Sequence, residues 1–158
     1  MQTLRNSSIT FAFSLMLASA PAFADGVIHH VSVGGPDQDA VDHTDANFSL
    51  VANQYADGTA TGEWTDQFGQ ANGGIHVQIN CLFVRGNQAW VSGFITHGNV
   101  NGVDVTGLPC ITRVQDNGKS ANDPPDQISF SFIGVATPCT AAPNLPLNPM
   151  TNGQVTVR

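Results

Sequence analysis

Five histidines are the side chains in this sequence best suited to bind a transition metal. His29 and His30 are neighbours, so on a strand their side chains point to opposite faces of a sheet. His43 lies among aspartates, and His76 and His97 fall in segments with strand patterns. Two or three imidazoles that converge in the fold would suit zinc or copper. No pair has the i, i+2 spacing that places two side chains on one face of a strand, so we predict no stoichiometric zinc or copper.

An acidic run near the N-terminus offers oxygen atoms of the kind that bind calcium. The run consists of Asp37, Asp39, Asp42 and Asp45, and it lacks the central glycine and terminal glutamate of an EF-hand loop. We therefore interpret it as part of an irregular, solvated leader that covers residues 25–45. Within this leader, residues 27–33 suit a short strand, which Gly34-Gly35-Pro36 is expected to break.

Hydrolytic chemistry finds little support in the sequence. Glu63 is the only glutamate, and Gly-x-Ser-x-Gly, His-Glu-x-x-His and glycine-rich loops that open a helix are all absent from the sequence. Serine, histidine and aspartate occur together in most chains of this length, so their presence decides nothing. We predict a protein that is not an enzyme, with no catalytic residues and no cofactor.

Three cysteines, Cys81, Cys110 and Cys139, allow three single pairings, each of which leaves one thiol. None lies in a Cys-x-x-Cys motif or near a histidine at ligand spacing, so a structural disulfide is the preferred interpretation. We favour Cys81 with Cys139, because Cys81 lies on the apolar side of the clearest strand and Cys139 directly follows a strand predicted at 127–135. Cys110 would then remain a thiol.

The first 24 residues have the composition of a secretory signal peptide. Arg5 supplies a positive charge, an apolar run of about ten residues follows at 9–18, and Ala22-Phe23-Ala24 has the small residues that signal peptidase accepts. The run is too short for a permanent membrane anchor, and no later stretch suits a membrane span. We expect cleavage after Ala24 and a secreted or periplasmic protein.

Composition argues against two classes of partner. The chain left after cleavage has four basic and twelve acidic residues, which gives a net charge of −8. Nucleic-acid binding requires a basic surface that neutralises phosphates, and four basic residues cannot form one. Anionic membrane surfaces are disfavoured for the same reason.

Strand patterns dominate from residue 46 onward. Glycine, asparagine, aspartate and threonine are abundant, which favours strands joined by tight turns. The clearest strand alternates over ten residues, with Ile75, Val77, Ile79, Cys81 and Phe83 on one face. Turn sequences recur along the chain, at Asp57-Gly58, Gly86-Asn87 and Asp116-Asn117-Gly118. Seven or eight short strands predict one antiparallel all-β domain at 46–158, either a β-sandwich or a small β-barrel.

The apolar faces of these strands predict the core. We expect it to contain Trp64, Ile75, Val77, Ile79, Phe83, Val91, Phe130 and Phe132. Gly62-Glu63-Trp64 also matches the Gly-x-Trp pattern on the first strand of lipocalins, but a strand precedes it here, so a core tryptophan is preferred. A small closed barrel that holds one ligand, as in avidin, stays open as an alternative. Gly93 within a strand indicates a bulge or a close backbone approach.

Four segments resemble, in their order, a loosely defined group of exported bacterial β-domains that occur alone or as modules of surface proteins. The segments are residues 62–64, 76–93, 114–118 and 125–129. This resemblance rests on strand and turn signatures over about two-thirds of the chain, and it implies the fold and the location. It transfers no catalytic residues, because the group has no established activity.

These observations predict an exported, non-enzymatic β-domain with a structural or adhesive role towards a protein or cell-surface partner. The alternative is a carrier of a small ligand or a metal, which would use a barrel interior or a histidine cluster. A filled interior favours the first function, and a cavity of several hundred cubic ångströms favours the second.

Overall fold

The computed structural model describes residues 26–38, 45–68, 73–120, 122–150 and 152–158. Within these residues, eleven strands form one antiparallel sheet that curls into a half-barrel, which confirms the predicted all-β class. The strands are β1 (Val27–Gln38), β2 (Asp45–Tyr55), β3 (Ala60–Gln67), β4 (Gly73–Arg85), β5 (Gln88–Val100), β6 (Val103–Asp104), β7 (Pro109–Gln115), β8 (Gln127–Ile128), β9 (Phe132–Ile133), β10 (Asn148–Pro149) and β11 (Gln154–Val157). Cys139–Ala141 forms a short 3-10 turn.

Two tight turns lie where the sequence predicts them, between β2 and β3 and between β4 and β5. At the β2–β3 turn, the Asp57 carboxylate accepts hydrogen bonds from the Thr59 backbone N–H at 2.8 Å and from its hydroxyl at 2.6 Å. Gly58 follows with a positive φ of 86°. Gly86, which has a φ of 63°, and Asn87 form the two-residue turn between β4 and β5. A positive φ at such positions explains the choice of glycine.

The two ends of the sheet lie next to each other. The spatial order is β10-β8-β7-β5-β4-β3-β2-β1-β11, so β10 and β11, which are consecutive in the chain, occupy opposite ends. Two carboxylates connect these ends, and we call this contact the seam. Asp126 accepts a hydrogen bond from the Val155 N–H at 2.6 Å, and Asp116 accepts one from the Val157 N–H at 3.1 Å. Asp126 is buried and also accepts a hydrogen bond from the Asn117 N–H at 2.7 Å.

β1 covers Val27–Gln38 and is longer than the short strand over 27–33 that the sequence allows within the leader. Gly34-Gly35-Pro36 was expected to break the strand, but β1 pairs with β2 as far as Gln38. Proline is tolerated here because β11 pairs only with residues 31–34, so at Pro36 β1 has a neighbouring strand on one side only.

Gly35 has a specific role at this position. Its φ is 141°, and a Cβ on it would lie 2.5 Å from the Cα of Gly153. Glycine therefore allows the backbone before β11 to approach β1 closely.

A β-bulge at Asn80 reverses the side-chain alternation of β4. Ile79 pairs with Gly93 while Cys81 pairs with Ser92, so β4 has one extra residue between them. Ile79 lies in the core on the inner face of the sheet, whereas Cys81 packs in a second cluster on the outer face. The prediction that Cys81 shares the face of Ile79 is therefore wrong. A Cβ on Gly93 would collide with the Gln78 carbonyl oxygen, which confirms the predicted bulge and close approach.

Apolar side chains pack the inner face of the half-barrel. Five of the predicted core residues are buried there, namely Trp64, Ile75, Val77, Ile79 and Val91. Phe83 and Phe132 are half-buried and pack instead against the outer cluster, and Phe130 is half-buried. The strand predicted over 127–135 is split into β8 and β9, which breaks the alternation assumed for the two phenylalanines.

Candidate functional surface

The outer face of the sheet has two halves that differ in how they are covered. In the half that we call the covered half, residues 138–145 lie over a cluster of large side chains, namely Cys81, Phe83, Trp90 and Ile111. In the half that we call the open half, outward side chains of β2 to β5 face solvent, namely Ser49, Val51, Glu63, Thr65, His76, Gln78, Phe94 and His97.

A disulfide attaches residues 138–145, which we call the covering segment, to the sheet. Cys81 and Cys139 are bonded, with their Cα atoms 6.0 Å apart, which is the pairing that the sequence favoured. The bulge at Asn80 makes this possible because it directs Cys81 outward. The Trp90 indole N–H donates a hydrogen bond to the Pro143 carbonyl oxygen at 2.8 Å. The covering segment is thus held both covalently and by hydrogen bonds.

Two arginines complete the covered half. The guanidinium carbons of Arg85 and Arg113 lie 5.0 and 5.2 Å from the centre of the Trp90 ring, within the range of cation–π attraction. Arg113 also donates hydrogen bonds to the Leu145 carbonyl oxygen at 3.0 Å and to Asn144 at 3.1 Å. Burial, and secondly the nearby charge of Arg85, lower the pKa of Arg113. These contacts make Arg113 a second attachment point for the covering segment.

Cys110 is a free thiol in the core. Burial, and secondly the negative charge of Asp66, raise its pKa to about 12. Asp66 is also buried, on the inner side of β3, and accepts a hydrogen bond from the Ser131 hydroxyl at 2.5 Å. A thiol with so high a pKa carries almost no thiolate near neutral pH, so Cys110 is a poor nucleophile in the folded protein.

The open half consists of two rows of side chains that cross four strands. In the first row, Val51, Glu63, Gln78 and Phe94 are successive partners on β2, β3, β4 and β5. Val51 is 46% exposed and Phe94 is 51% exposed, both high for apolar side chains. The Gln78 amide donates a hydrogen bond to the Gly62 carbonyl oxygen at 2.8 Å.

The second row brings two histidines together. Ser49, Thr65, His76 and His97 are successive partners across the same four strands. The imidazole rings of His76 and His97 are stacked, with centroids 4.1 Å apart and planes 19° apart. The Thr65 hydroxyl lies 3.2 Å from Nδ1 of His76. Spacing within one strand did not predict this pair, because it depends on the register between two strands.

His29 and His30 do not join the pair. Nδ1 of His29 lies 3.3 Å from the Arg158 carbonyl oxygen, and Nδ1 of His30 lies 2.8 Å from Oδ1 of Asn53. His43 lies outside the described residues. Among the residues that the structure describes, no group of three or more histidine, cysteine, aspartate or glutamate side chains is suited to hold a metal ion.

Two other sequence predictions fall mainly outside the described residues. Asp37 and Asp45 lie on β1 and β2, whereas Asp39 and Asp42 are outside the described ranges, as is the predicted signal peptide at 1–24. None of the described residues belongs to a helix with the length and hydrophobicity that a membrane span requires.

Two surface grooves border the open half. One, of about 280 Å³, lies beside Phe94 and Asn80 and ends against Pro138 of the covering segment. The other, of about 470 Å³, lies beside Ser49 and Thr65. Both are open depressions on the surface, and they flank the exposed side chains of the open half.

No protein-family model, curated protein or solved structure matches this chain. The resemblance to exported bacterial β-domains therefore stays a prediction from the sequence.

Proposed function

We propose that this protein is an exported, non-enzymatic β-domain that binds a protein or cell-surface partner through the open half of its outer face. The observation that carries the proposal is the uneven cover of one continuous sheet. Residues 138–145 bury one half of the outer face, whereas the other half leaves Val51 and Phe94 about half exposed.

The chemistry of the open half supports a binding role. Its two apolar side chains stand among hydroxyl, amide and imidazole groups, and Glu63 is the one carboxylate in its two rows. Protein interfaces have a similar composition, with apolar anchors, few charges at the centre and a polar rim. The packed inner face supports this surface role over a ligand carried in the barrel interior.

Export is supported by the signal-peptide pattern and by the disulfide, since disulfides persist in oxidising compartments. Intact-mass analysis of the protein recovered from the producing organism tests this part of the proposal. We expect a mature chain that begins at Asp25. A protein that retains Met1 would contradict the proposed location.

The binding role is tested with fluorescently labelled mature protein and washed cells of the producing organism. We expect saturable binding that weakens at least about tenfold in the double variant Val51→Ser, Phe94→Ser, because interface anchors carry most of the affinity. Val103→Ser is the matched control, since Val103 is 65% exposed but lies on β6, outside the two rows. Equal binding by the double variant and the wild type would contradict the proposal.

A further inference from the structure

We propose that His76 and His97 form an open binding site for a divalent transition metal, with Cu²⁺ bound most tightly. The proposal is independent of the partner-binding role, because it requires no second molecule. Both imidazoles are exposed on the open half, so a hydrated ion reaches them without any rearrangement of the core.

The backbone fixes the two histidines opposite each other. They are register partners on β4 and β5, and a second bulge follows directly, where Val77 pairs with Ile95 and Thr96 is the extra residue. The Thr96 hydroxyl donates a hydrogen bond to the His76 carbonyl oxygen at 3.1 Å, which holds the bulge in place. The two side chains therefore start from a rigid pair of strands, and little conformational freedom is lost on chelation.

The separation of the two rings suits a shared ion. Metal–nitrogen bonds of about 2.0 Å hold two ligating imidazole nitrogens roughly 3 to 4 Å apart. The ring centroids are 4.1 Å apart, so the nitrogens lie within reach of one ion. Because the rings are stacked, chelation requires the exposed His97 ring to rotate until one of its nitrogens points at an ion in the plane of the His76 ring.

Thr65 supplies the outer contact that metal-binding histidines usually have. When Nε2 of His76 is bound to the metal, Nδ1 carries the proton and donates a hydrogen bond to the Thr65 hydroxyl, which lies 3.2 Å away. Such outer hydrogen bonds fix the tautomer and the orientation of the ring. Thr65 is thus a positioning residue for His76.

Copper is favoured by the ligand type and by the charge of the chain. Imidazole nitrogens bind the late divalent metals, and Cu²⁺ is the strongest binder of the series at a site that does not impose its own geometry. The net charge of −7 attracts cations to the surface. With two protein ligands, the other coordination positions are left to water, so the ion exchanges readily. Such a site is compatible with the prediction that the isolated protein retains no stoichiometric metal.

The test is a titration of EDTA-treated mature protein with CuCl₂, with glycine as a competing chelator. Calorimetry should give one Cu²⁺ per chain, and electron paramagnetic resonance should show coupling to two imidazole nitrogens. We expect His76→Gln and His97→Gln each to weaken binding at least about tenfold. His97→Phe keeps an aromatic ring beside His76 and should lose binding with no change in the melting temperature. Thr65→Val should weaken binding, and Thr65→Ser should restore it.

The matched control is His30→Gln. His30 is also hydrogen-bonded to a neighbouring side chain, that of Asn53, and its sequence neighbour His29 lies instead beside the Arg158 carbonyl oxygen, so its replacement should leave copper binding unchanged. Wild-type affinity in both His76→Gln and His97→Gln, or an equal loss in His30→Gln, would overturn the proposal. Because the titration uses no cells, its result does not depend on whether the partner-binding role is correct.

Discussion

The covered and open halves of the outer face belong to the same strands, β4 and β5, and yet they present opposite chemistry. Towards the Gly86-Asn87 turn, the outward side chains of these strands are Cys81, Phe83 and Trp90, which are sealed beneath the covering segment. Away from the turn, they are His76, Gln78 and Phe94, which are exposed. The change takes place at Asn80, within a single strand.

One inserted residue accounts for this division. Before the bulge, the apolar side chains of β4 face inward and its polar side chains face solvent. After the bulge, Leu82 faces inward while Cys81 and Phe83 face outward, so an apolar surface appears outside that requires a cover. A bulge therefore lets one strand contribute to two cores. The open half is the part of the outer face that the second core does not reach.

The substitution with the largest expected effect tests the register of β4, on which the difference between the two halves depends. Ile79→Asp should abolish folding, because Ile79 is 2% exposed and the carboxylate would be buried without a partner. Gln78→Asp is the matched control, since the neighbouring side chain faces solvent on the open half. Circular dichroism melts should show no cooperative transition for the first variant and a native-like one for the second. A native-like melt for Ile79→Asp would mean that the register is wrong by one residue.

Removal of the disulfide should affect the covered half next. The double variant Cys81→Ala, Cys139→Ala opens a loop of 58 residues and should lower the free energy of unfolding by about 4 kcal/mol on loop-entropy grounds. Urea unfolding followed by tryptophan fluorescence measures the change, because Trp90 lies beneath the covering segment. A loss below about 1 kcal/mol would show that the segment holds its place through Trp90 and Arg113 alone.

Alkaline pH should lower the stability of the core, which lies on the inner face beneath both halves. The pKa of Cys110 is raised from 9.0 to about 12 in the folded protein, so the folded state binds a proton that the unfolded state loses. The contribution of this proton to the free energy of unfolding is fully present below pH 9 and is lost as the pH rises from 9 towards 12. The free energy of unfolding should therefore be lower by about 3 kcal/mol at pH 11. Cys110→Ala should lack this component. Urea unfolding at a series of pH values measures this. If the free energy of unfolding fell in parallel with pH for the variant and the wild type, the prediction would be wrong.

Substitutions on the open half should change stability less than any of the changes above. Val51→Ser and Phe94→Ser should each alter the free energy of unfolding by about 0.5 kcal/mol or less, because both side chains are about half exposed. Urea unfolding checks this expectation. A loss as large as that from the disulfide variant would mean that the open half is structural and not a binding surface.

Chelation should have the smallest effect of all. EDTA should leave the melting temperature nearly unchanged, because two exposed histidines cannot contribute the roughly 10 kcal/mol of a structural metal site. A fall of ten degrees or more would contradict this prediction and favour the metal-carrier function.

Local patterns in the sequence predicted much of this architecture. The alternation from Ile75 to Ile79 and the turns at Asp57-Gly58 and Gly86-Asn87 are local signals, and the structure confirms them. The face of Cys81 was wrong because a bulge changes alternation without changing composition. The strand through Pro36 was missed because its tolerance depends on where β11 ends, which is information from the other end of the chain.

To predict the candidate sites, one would need contacts between residues that are far apart in the sequence. His76 and His97 are 21 positions apart in sequence and meet through strand register alone. The open half is the part of the outer face that residues 138–145 leave uncovered, and the composition of β2 to β5 does not predict which part that is. The sequence predicts the Cys81–Cys139 pairing correctly, although Cys81 lies on the face of the sheet opposite to Ile79.

The seam has a consequence for the order in which the protein folds. β11 pairs with β1, so strands near opposite ends of the chain are neighbours, and Asp116 and Asp126 hold β11 from its other side. Contacts so distant in sequence form slowly, because a long loop must close before they stabilise anything. The central hairpins can form early from local contacts, but the half-barrel cannot close until residues 154–157 are available. We therefore expect closure at the seam to be the slow, late step of folding.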